Sequence, residues 1–246
     1  MSRHVRPVSA NRGLLCAMAA TVALTLGACS GSSEPDDTEQ TQDEPTAQDR
    51  LDQAYAAFTD AGSVSLLLEG TDLPEDRNTY VISADGAGTM DPAAFDGTIT
   101  ARLSGVQADV PTIAVDDALY VKLPFAPGFI ATDPEELGVP DPARLFDSEV
   151  GVASLLQQTE SPEFGEQRRA GQEIVQEVTG TLPGDLVVRV LDVGSGDEGF
   201  EVVYGLIEQG WEVRTVTLTG EFYPPATSTY TLTLDDYGEP VTVTAP

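Results

Sequence analysis

The chain has 246 residues, of which 41 are acidic and only 12 are basic, so its net charge at pH 7 is −29. A charge of this sign argues against binding to nucleic acid and against electrostatic attraction to anionic lipid, because both require basic patches. We interpret the acidity chiefly as a means of keeping an exported protein soluble.

Residues 1–28 have the composition of a removable export signal. A basic start that includes Arg3, Arg6 and Arg12 precedes Gly13–Ala28, an apolar run of 16 residues. This run is shorter than the roughly 18–20 residues that a transmembrane helix needs. We therefore expect the segment to act as an address and to be cleaved from the mature protein.

The apolar run ends in Leu26-Gly27-Ala28-Cys29. This sequence resembles the lipobox of bacterial lipoproteins, in which the cysteine sulfur receives a diacylglyceryl group and the chain is cleaved before it. Cys29 is therefore the predicted lipidation site, and it would anchor the protein on the extracytoplasmic face of the cell membrane. The alternative is an ordinary signal peptide with an incidental cysteine. Residues 29–47 are predicted to be the lipidated cysteine and a disordered acidic tether.

Cleavage would remove most of the reactive side chains. It would take away Cys16 and His4, the only histidine, and leave 9 basic against 41 acidic residues, a net charge of −32. With Cys29 lipidated, no Ser-His-Asp triad, Cys-His pair or zinc site built from those residues could form. We expect no enzyme activity, no metal and no cofactor. A glycosidase that uses only carboxylates is the alternative that this set of residues leaves open. Asp192–Glu198 is interpreted as a loop, with a bound cation as the alternative.

Residues 48–246 are predicted to form one domain, which is long enough for a substantial core. Helical spacing of apolar residues predicts a helix over Asp49–Ala61, and a second, short helix is predicted over Val152–Gln158. Alternation of apolar and polar residues predicts antiparallel strands joined by short turns. These strands are expected at 64–68, 80–90, 98–103, 112–115, 118–123, 173–182, 200–206, 216–222 and 230–234.

The order of these elements resembles the LppX/LprAFG family of mycobacterial and actinobacterial lipoproteins, from about Leu51 to Thr244. The segments that carry the resemblance are the hairpin DDALYVKL (116–123), a proline-rich excursion (125–141), ARLFDSEVGVASLLQQ (143–158), EQRRAG (166–171) in the place of a family turn, and DYGEPVTV (236–243). None of them is a catalytic signature. Their order and spacing make the resemblance specific.

The resemblance implies an α+β fold, an antiparallel β half-barrel with helices on the concave side that enclose a hydrophobic cavity. The protein would then be a carrier whose cavity takes the acyl chains of a lipid, a glycolipid or a triacylglycerol on its way across the cell envelope. By matched position, Ile99 points into the cavity, with Ala101 and Leu103 in the same row. The same comparison also nominates Leu66, Leu68, Val115, Leu119 and Val121.

Two points stay open at this stage. Pro183–Val190 is strand-like by composition, whereas the family has a short helix there, and we follow the family.

The rival function is a non-catalytic envelope scaffold, or an accessory subunit of an export pump, without bound lipid. A membrane efflux transporter is a candidate partner, and we expect a monomer. A solid core would favour the scaffold, because a solid core and an acyl cavity use the same residue types.

The predicted anchor can be tested by Cys29→Ser. Without the thiol no acyl chain can be attached, so we expect the protein to move from the membrane fraction to the soluble fraction in an actinobacterial host. Mass spectrometry of the N-terminal peptide of the unchanged protein should show an acylated Cys29. An unmodified Cys29 in membrane-bound protein would contradict the prediction.

Overall fold

A single antiparallel sheet of 11 strands organises the structure, a computed structural model that describes residues 44–134 and 140–246. The strands are β1 (Ser63–Thr71), β2 (Tyr80–Met90), β3 (Ala93–Leu103), β4 (Val106–Val115), β5 (Ala118–Val121), β6 (Ile130–Thr132), β7 (Glu160–Ala170), β8 (Glu173–Leu182), β9 (Phe200–Ile207), β10 (Val213–Tyr223) and β11 (Ala226–Asp235). Their order across the sheet is β6-β5-β4-β3-β2-β1-β11-β10-β9-β8-β7.

The first and last strands lie side by side in the middle of the sheet. Ser65 of β1 pairs with Asp235 of β11, and Thr71 pairs with Thr229. The other strands continue outward from this pair, each beside its neighbour in the sequence, as short turns between antiparallel strands require. The sheet therefore has two open edges, β6 and β7.

The helix α1 (Ala47–Ala61) begins and ends at sequence signals. The Thr46 hydroxyl accepts a hydrogen bond from the Asp49 amide, and the Asp49 carboxylate accepts one from the Thr46 amide, which is a capping box. Gly62, with φ 75°, ends the helix in the left-handed conformation. The predicted helix is confirmed, with a start two residues earlier than expected.

Three shorter helical segments complete the cover of the sheet in the described residues. They are a 3-10 helix (Pro142–Phe146), α2 (Val152–Gln157) and α3 (Gly184–Leu191). The helix that the family resemblance implied after Pro183 is confirmed as α3. It packs because Leu186, Val187 and Val190 are buried, although a run of valines favours a strand by composition.

Two strands, β6 and β7, were not predicted from the sequence. β6 has only three residues and lies inside the proline-rich excursion. β7 runs through the stretch 166–170, where a turn was expected, and the chain turns one step later at Gly171. The strand has charged residues along most of its length and no fully buried side chain, so it carries no alternation of apolar and polar residues.

A tight turn joins the 3-10 helix to α2. The Asp147 carboxylate accepts hydrogen bonds from the amides of Glu149 (2.7 Å) and Val150 (3.0 Å). A Cβ on Gly151 would lie within 2.6 Å of three backbone carbonyl oxygens, those of Arg144, Leu145 and Asp147. The DSEVG motif is thus a structural turn that needs its aspartate and its glycine.

Phe146 of the 3-10 helix packs where β2 carries Gly88 instead of a residue with a side chain. It stacks on Phe95 with ring centroids 6.0 Å apart, and both rings are fully buried. A Cβ on Gly88 would lie 2.6 Å from the Phe146 ring and 2.5 Å from the Ala94 carbonyl oxygen. Glycine at this position therefore lets the cover approach the sheet.

Gly88→Ala should destabilise the fold. The added methyl group meets both a buried ring and a backbone oxygen, and overpacking of this kind costs about 1–3 kcal/mol. Gly128→Ala is the matched control, because a Cβ there meets nothing within 4 Å. Chemical denaturation of the two variants measures the difference, and equal stabilities would contradict the packing argument.

Candidate functional site

An apolar cavity of about 60 Å³, which we call cavity 1, lies between the sheet and its helical cover. Its floor includes Leu68, Val81, Ala84 and Ile99 of β1–β3, together with Tyr223 and Tyr230 of β10 and β11. Its cover is Pro140–Pro142 and Leu145 on one side and Val190, Leu191 and Val193 on the other. The Arg144 guanidinium joins the two sides by donating a hydrogen bond of 2.6 Å to the Arg189 carbonyl oxygen.

A second apolar cavity of about 20 Å³, cavity 2, adjoins the first under the same cover. Ile99, Pro140 and Pro142 line both cavities, so these residues form the partition between them. The other lining residues of cavity 2 belong to β3, β4 and β5, and Leu123 follows β5. They are Ala101, Leu103, Val110, Thr112, Leu119, Val121 and Leu123. The two cavities thus follow one apolar track from β5 to β10.

Six of the eight residues nominated as cavity lining lie along this track. Leu68 and Ile99 line cavity 1, and Ile99, Ala101, Leu103, Leu119 and Val121 line cavity 2. Leu66 is buried in the main core and lines neither cavity. Val115 packs with Ala94 and Ile113 in a separate, smaller cluster, so the structure does not bring it to the Ile99 row.

Tyr223 and Tyr230 form the polar part of the floor of cavity 1. The sequence predicted Tyr230 only as a strand residue and gave no signal that it lines a cavity. The Tyr230 hydroxyl donates to the Val81 carbonyl oxygen (2.6 Å) and accepts from the Tyr223 hydroxyl (2.9 Å). Burial raises the pKa of Tyr230 well above its usual range, and the nearby Tyr223 raises it further. Both hydroxyls therefore stay neutral, and since their protons are already donated, they can only accept hydrogen bonds from a ligand.

Asp141 is the one carboxylate among the described lining residues of cavities 1 and 2. It begins the 3-10 helix, where its side chain accepts a hydrogen bond of 2.9 Å from the Ala143 amide. Burial raises its pKa, although this hydrogen bond and the Arg144 charge act in the opposite direction. A pair of facing carboxylates of the kind that glycosidases use is thus not found in the described lining of either cavity.

Residues 44–134 and 140–246 contain neither a metal-binding cluster nor a membrane-spanning helix. No cluster of three or more His, Cys, Asp or Glu side chains suited to a metal ion occurs there. No helix in these ranges has both the length and the apolar composition that crossing a membrane requires. Cys29 and residues 30–43 of the predicted tether lie outside the described residues, so the lipidation site remains a prediction, and Thr46 and Ala47 at the end of that segment already belong to α1 and its cap.

An antiparallel half-barrel with helices on its concave side and apolar cavities beneath them defines an α+β protein with an apolar interior. The chain belongs to the LppX_LprAFG lipoprotein family, whose model matches residues 46–243. It is 28% identical to a protein named lipoarabinomannan carrier protein LprG from Mycolicibacterium hassiacum. The alignment spans 234 residues, which are 95% of this chain and 96% of that protein.

Two solved structures share the fold. LprF from Mycobacterium bovis superimposes with a TM-score of 0.69 at 16% identity, over 81% of this chain and 96% of that structure. LppX from Mycobacterium tuberculosis superimposes with a TM-score of 0.61 at 20% identity, over 80% of this chain and 98% of that structure. At these identities the similarity concerns the fold, and it confirms the half-barrel implied by the sequence motifs.

The buried tyrosines predict how stability changes in alkali. Burial raises the pKa of Tyr204, Tyr230 and Tyr237 above the value of about 10 that tyrosine has in an unfolded chain. Their contribution to the free energy of unfolding is therefore fully present below pH ~10 and is lost as the pH rises above that value, because the unfolded chain releases these protons more readily than the folded chain.

A titration that follows tyrosinate absorbance and circular dichroism together measures this effect. We expect the last part of the absorbance change to coincide with unfolding, and Tyr230→Phe to reduce that part by one tyrosine. Ionisation of all seven tyrosines before any loss of structure would contradict the prediction.

Proposed function

We propose that this protein is a lipid-anchored extracytoplasmic carrier that binds acyl chains of lipids or lipoglycans and assists their transport across the cell envelope. The observation that carries the proposal is the apolar track of cavities 1 and 2, which lies between the sheet and a cover of short helices. The family membership and the carrier name of the LprG relative support it. Export and lipidation at Cys29 would put this interior beside its source of lipid.

Binding an acyl chain requires the cavities to enlarge. Sites for small molecules usually measure about 300–1,000 Å³, whereas the two cavities measure about 60 and 20 Å³. Ile99, Pro140 and Pro142 separate them, so a shift of the 3-10 helix away from β3 would merge them into one channel. Among the described residues, the Arg144–Arg189 hydrogen bond is a polar contact that such a shift would break, and the other cover residues that line cavity 1 are apolar except Asp141.

The lining favours acyl chains over head groups. Asp141, Tyr223, Tyr230 and Thr112 are the polar side chains among the described lining residues of the two cavities. A charged or glycosylated head group would find few partners inside, so it would stay outside the opening. With a net charge of −29 for the chain, neutral lipids such as triacylglycerols fit the interior at least as well as anionic lipoglycans.

The second candidate is a scaffold or an accessory subunit of an export pump that holds no lipid. The small size of the cavities favours it, because the described core is nearly solid. The two candidates differ in one measurable property, the presence of bound lipid in the purified protein.

Residues 30–246 purified from an actinobacterial host should contain acylated lipid at about one molecule per chain, as measured by mass spectrometry of an organic extract. Ile99→Trp should abolish the bound lipid, because the larger side chain fills the partition between the cavities. Ile174→Trp is the matched control, since Ile174 lies on β8 and is 56% exposed.

The result separates the candidates if all three proteins have the same circular dichroism. Lipid in the unchanged protein and in Ile174→Trp, but not in Ile99→Trp, supports the carrier. Absence of lipid from all three folded proteins would contradict the carrier and leave the scaffold.

A further inference from the structure

We propose that one end of the half-barrel inserts apolar side chains into a lipid surface. This end, which we call the Leu103 end, is where β3 ends and β4 begins, and the chain that leaves β5 runs toward it. The antiparallel pairing places Leu103 opposite Val106 at this end, whereas Val121 and Ile130 are level with Thr112 and Gly97, further down the sheet. Cavity 2 reaches it through Leu103, Val121 and Leu123.

Two exposed apolar side chains mark the Leu103 end, and a third lies below it on β6. Phe125 is fully exposed and Val106 is 68% exposed, while Ile130, level with Gly97, is 45% exposed. Each lies next to the lining of cavity 2, because two of them pair with lining residues and Phe125 follows Leu123 by two positions. The exposed surface is therefore continuous with the apolar track under the cover.

The backbone at Phe125 is held in a conformation that a large residue rarely adopts. Leu123–Ala126 is a turn closed by a hydrogen bond of 3.0 Å from the Ala126 amide to the Leu123 carbonyl oxygen. Pro124 occupies its second position and Phe125, with φ 71°, its third, where glycine or asparagine is usual. The fold thus holds a phenyl ring in water on a strained turn, which is unfavourable for the isolated domain unless the ring has a partner.

The charge pattern of this end suits a lipid surface. Residues 118–132 and 97–108 contain no Asp or Glu, and Asp109, the next residue of β4, accepts a hydrogen bond of 2.8 Å from the Thr100 hydroxyl. Lys122, the only lysine, lies between Val121 and Leu123, and a lysine beside an apolar tip can extend its charge to the head groups. The acidic loop with Asp72, Glu75 and Asp76 lies at the same end on the β1–β2 side, so the contact is confined to the β3–β6 side.

The tether is long enough for this end to reach the membrane. Helix α1 starts at the opposite end, which we call the Trp211 end, because Arg50 lies 3.8 Å from the centroid of the Trp211 ring in the β9–β10 turn. Seventeen residues, 30–46, separate the predicted anchor from α1 and reach at most about 55–60 Å. An 11-residue strand such as β3 spans only about 35 Å, so an anchored domain can turn its Leu103 end to the bilayer.

The inference goes beyond the proposed function, and it rests on that function only in naming the cavity that the contact would serve. A lipid that leaves the bilayer at this end would enter cavity 2 without passing through water. Since burial of apolar groups drives the contact, it should need no anionic lipid and should not weaken with salt.

A single-tryptophan reporter tests the contact. The protein used is residues 30–246, which contain every described element and include the whole compact unit 43–246. An N-terminal histidine tag replaces the acyl anchor and binds the protein to nickel-chelating vesicles. The vesicles consist of phosphatidylcholine whose brominated acyl chains quench tryptophan fluorescence. The reporter is Phe125→Trp combined with Trp211→Phe. The controls are the unchanged chain, whose one tryptophan is Trp211, and Phe164→Trp with Trp211→Phe, since Phe164 is 47% exposed on β7.

We expect strong quenching and a blue shift at position 125, equal at low and high salt, and little quenching in the two controls. Equal quenching of all three proteins, or none at position 125, would overturn the proposal. A blue shift at position 125 that grows with protein concentration in the absence of vesicles would also overturn it, because the occupant would then be a second copy of the chain.

A functional measurement keeps the inference distinct from the carrier proposal. Phe125→Ser should slow lipid transfer between vesicles about tenfold or more without changing the amount of bound lipid, whereas Phe164→Ser should change neither. Bound lipid with no quenching at position 125 would overturn the contact and leave the carrier intact. Quenching at position 125 in a protein that binds no lipid would instead contradict the carrier.

Discussion

The pairing of the first strand with the last is the interaction on which the rest of the structure depends. Because β1 and β11 lie side by side, from Ser65–Asp235 to Thr71–Thr229, two meanders become one continuous sheet. Neither meander alone would present an apolar face wide enough for the helices to cover. Cavity 1 lies across this join, since it uses Leu68 of β1 and Tyr230 of β11, whereas cavity 2 lies on the β3–β5 side of it. The join therefore creates the shared core and the larger of these two cavities.

The cover explains why the interior can be both nearly solid and a candidate for binding. It consists of short helical segments, and a short helix has too few internal hydrogen bonds to be stable without its packing. Phe146 holds the 3-10 helix over Gly88, and the Asp147–Gly151 turn fixes its exit. Away from these fixed points, apolar contacts and the Arg144–Arg189 bond hold the cover over the cavities. A cover built in this way can move without breaking a strand.

Much of the fold could be predicted because most strands have one apolar and one polar face. The bounds of β2 and β8 match the prediction, and Ile99, Ala101 and Leu103 alternate on β3 as expected. Val115 was harder to place, because residues 112–115 are all buried and give no signal of which face each occupies. The size of the cavities could not be predicted from the sequence, because it depends on how closely the 3-10 helix with Phe146 approaches the sheet and not on residue type.

The two open edges of the sheet have a further consequence. An open edge presents unpaired amide and carbonyl groups to which a strand of another chain can add. β6 has only three residues, and β7 carries Arg168, Arg169 and several glutamates and changes register twice against β8. Short, charged and irregular edges oppose such addition. Such edges would resist edge-to-edge polymerisation even at the high local concentration that the predicted lipid anchor would produce.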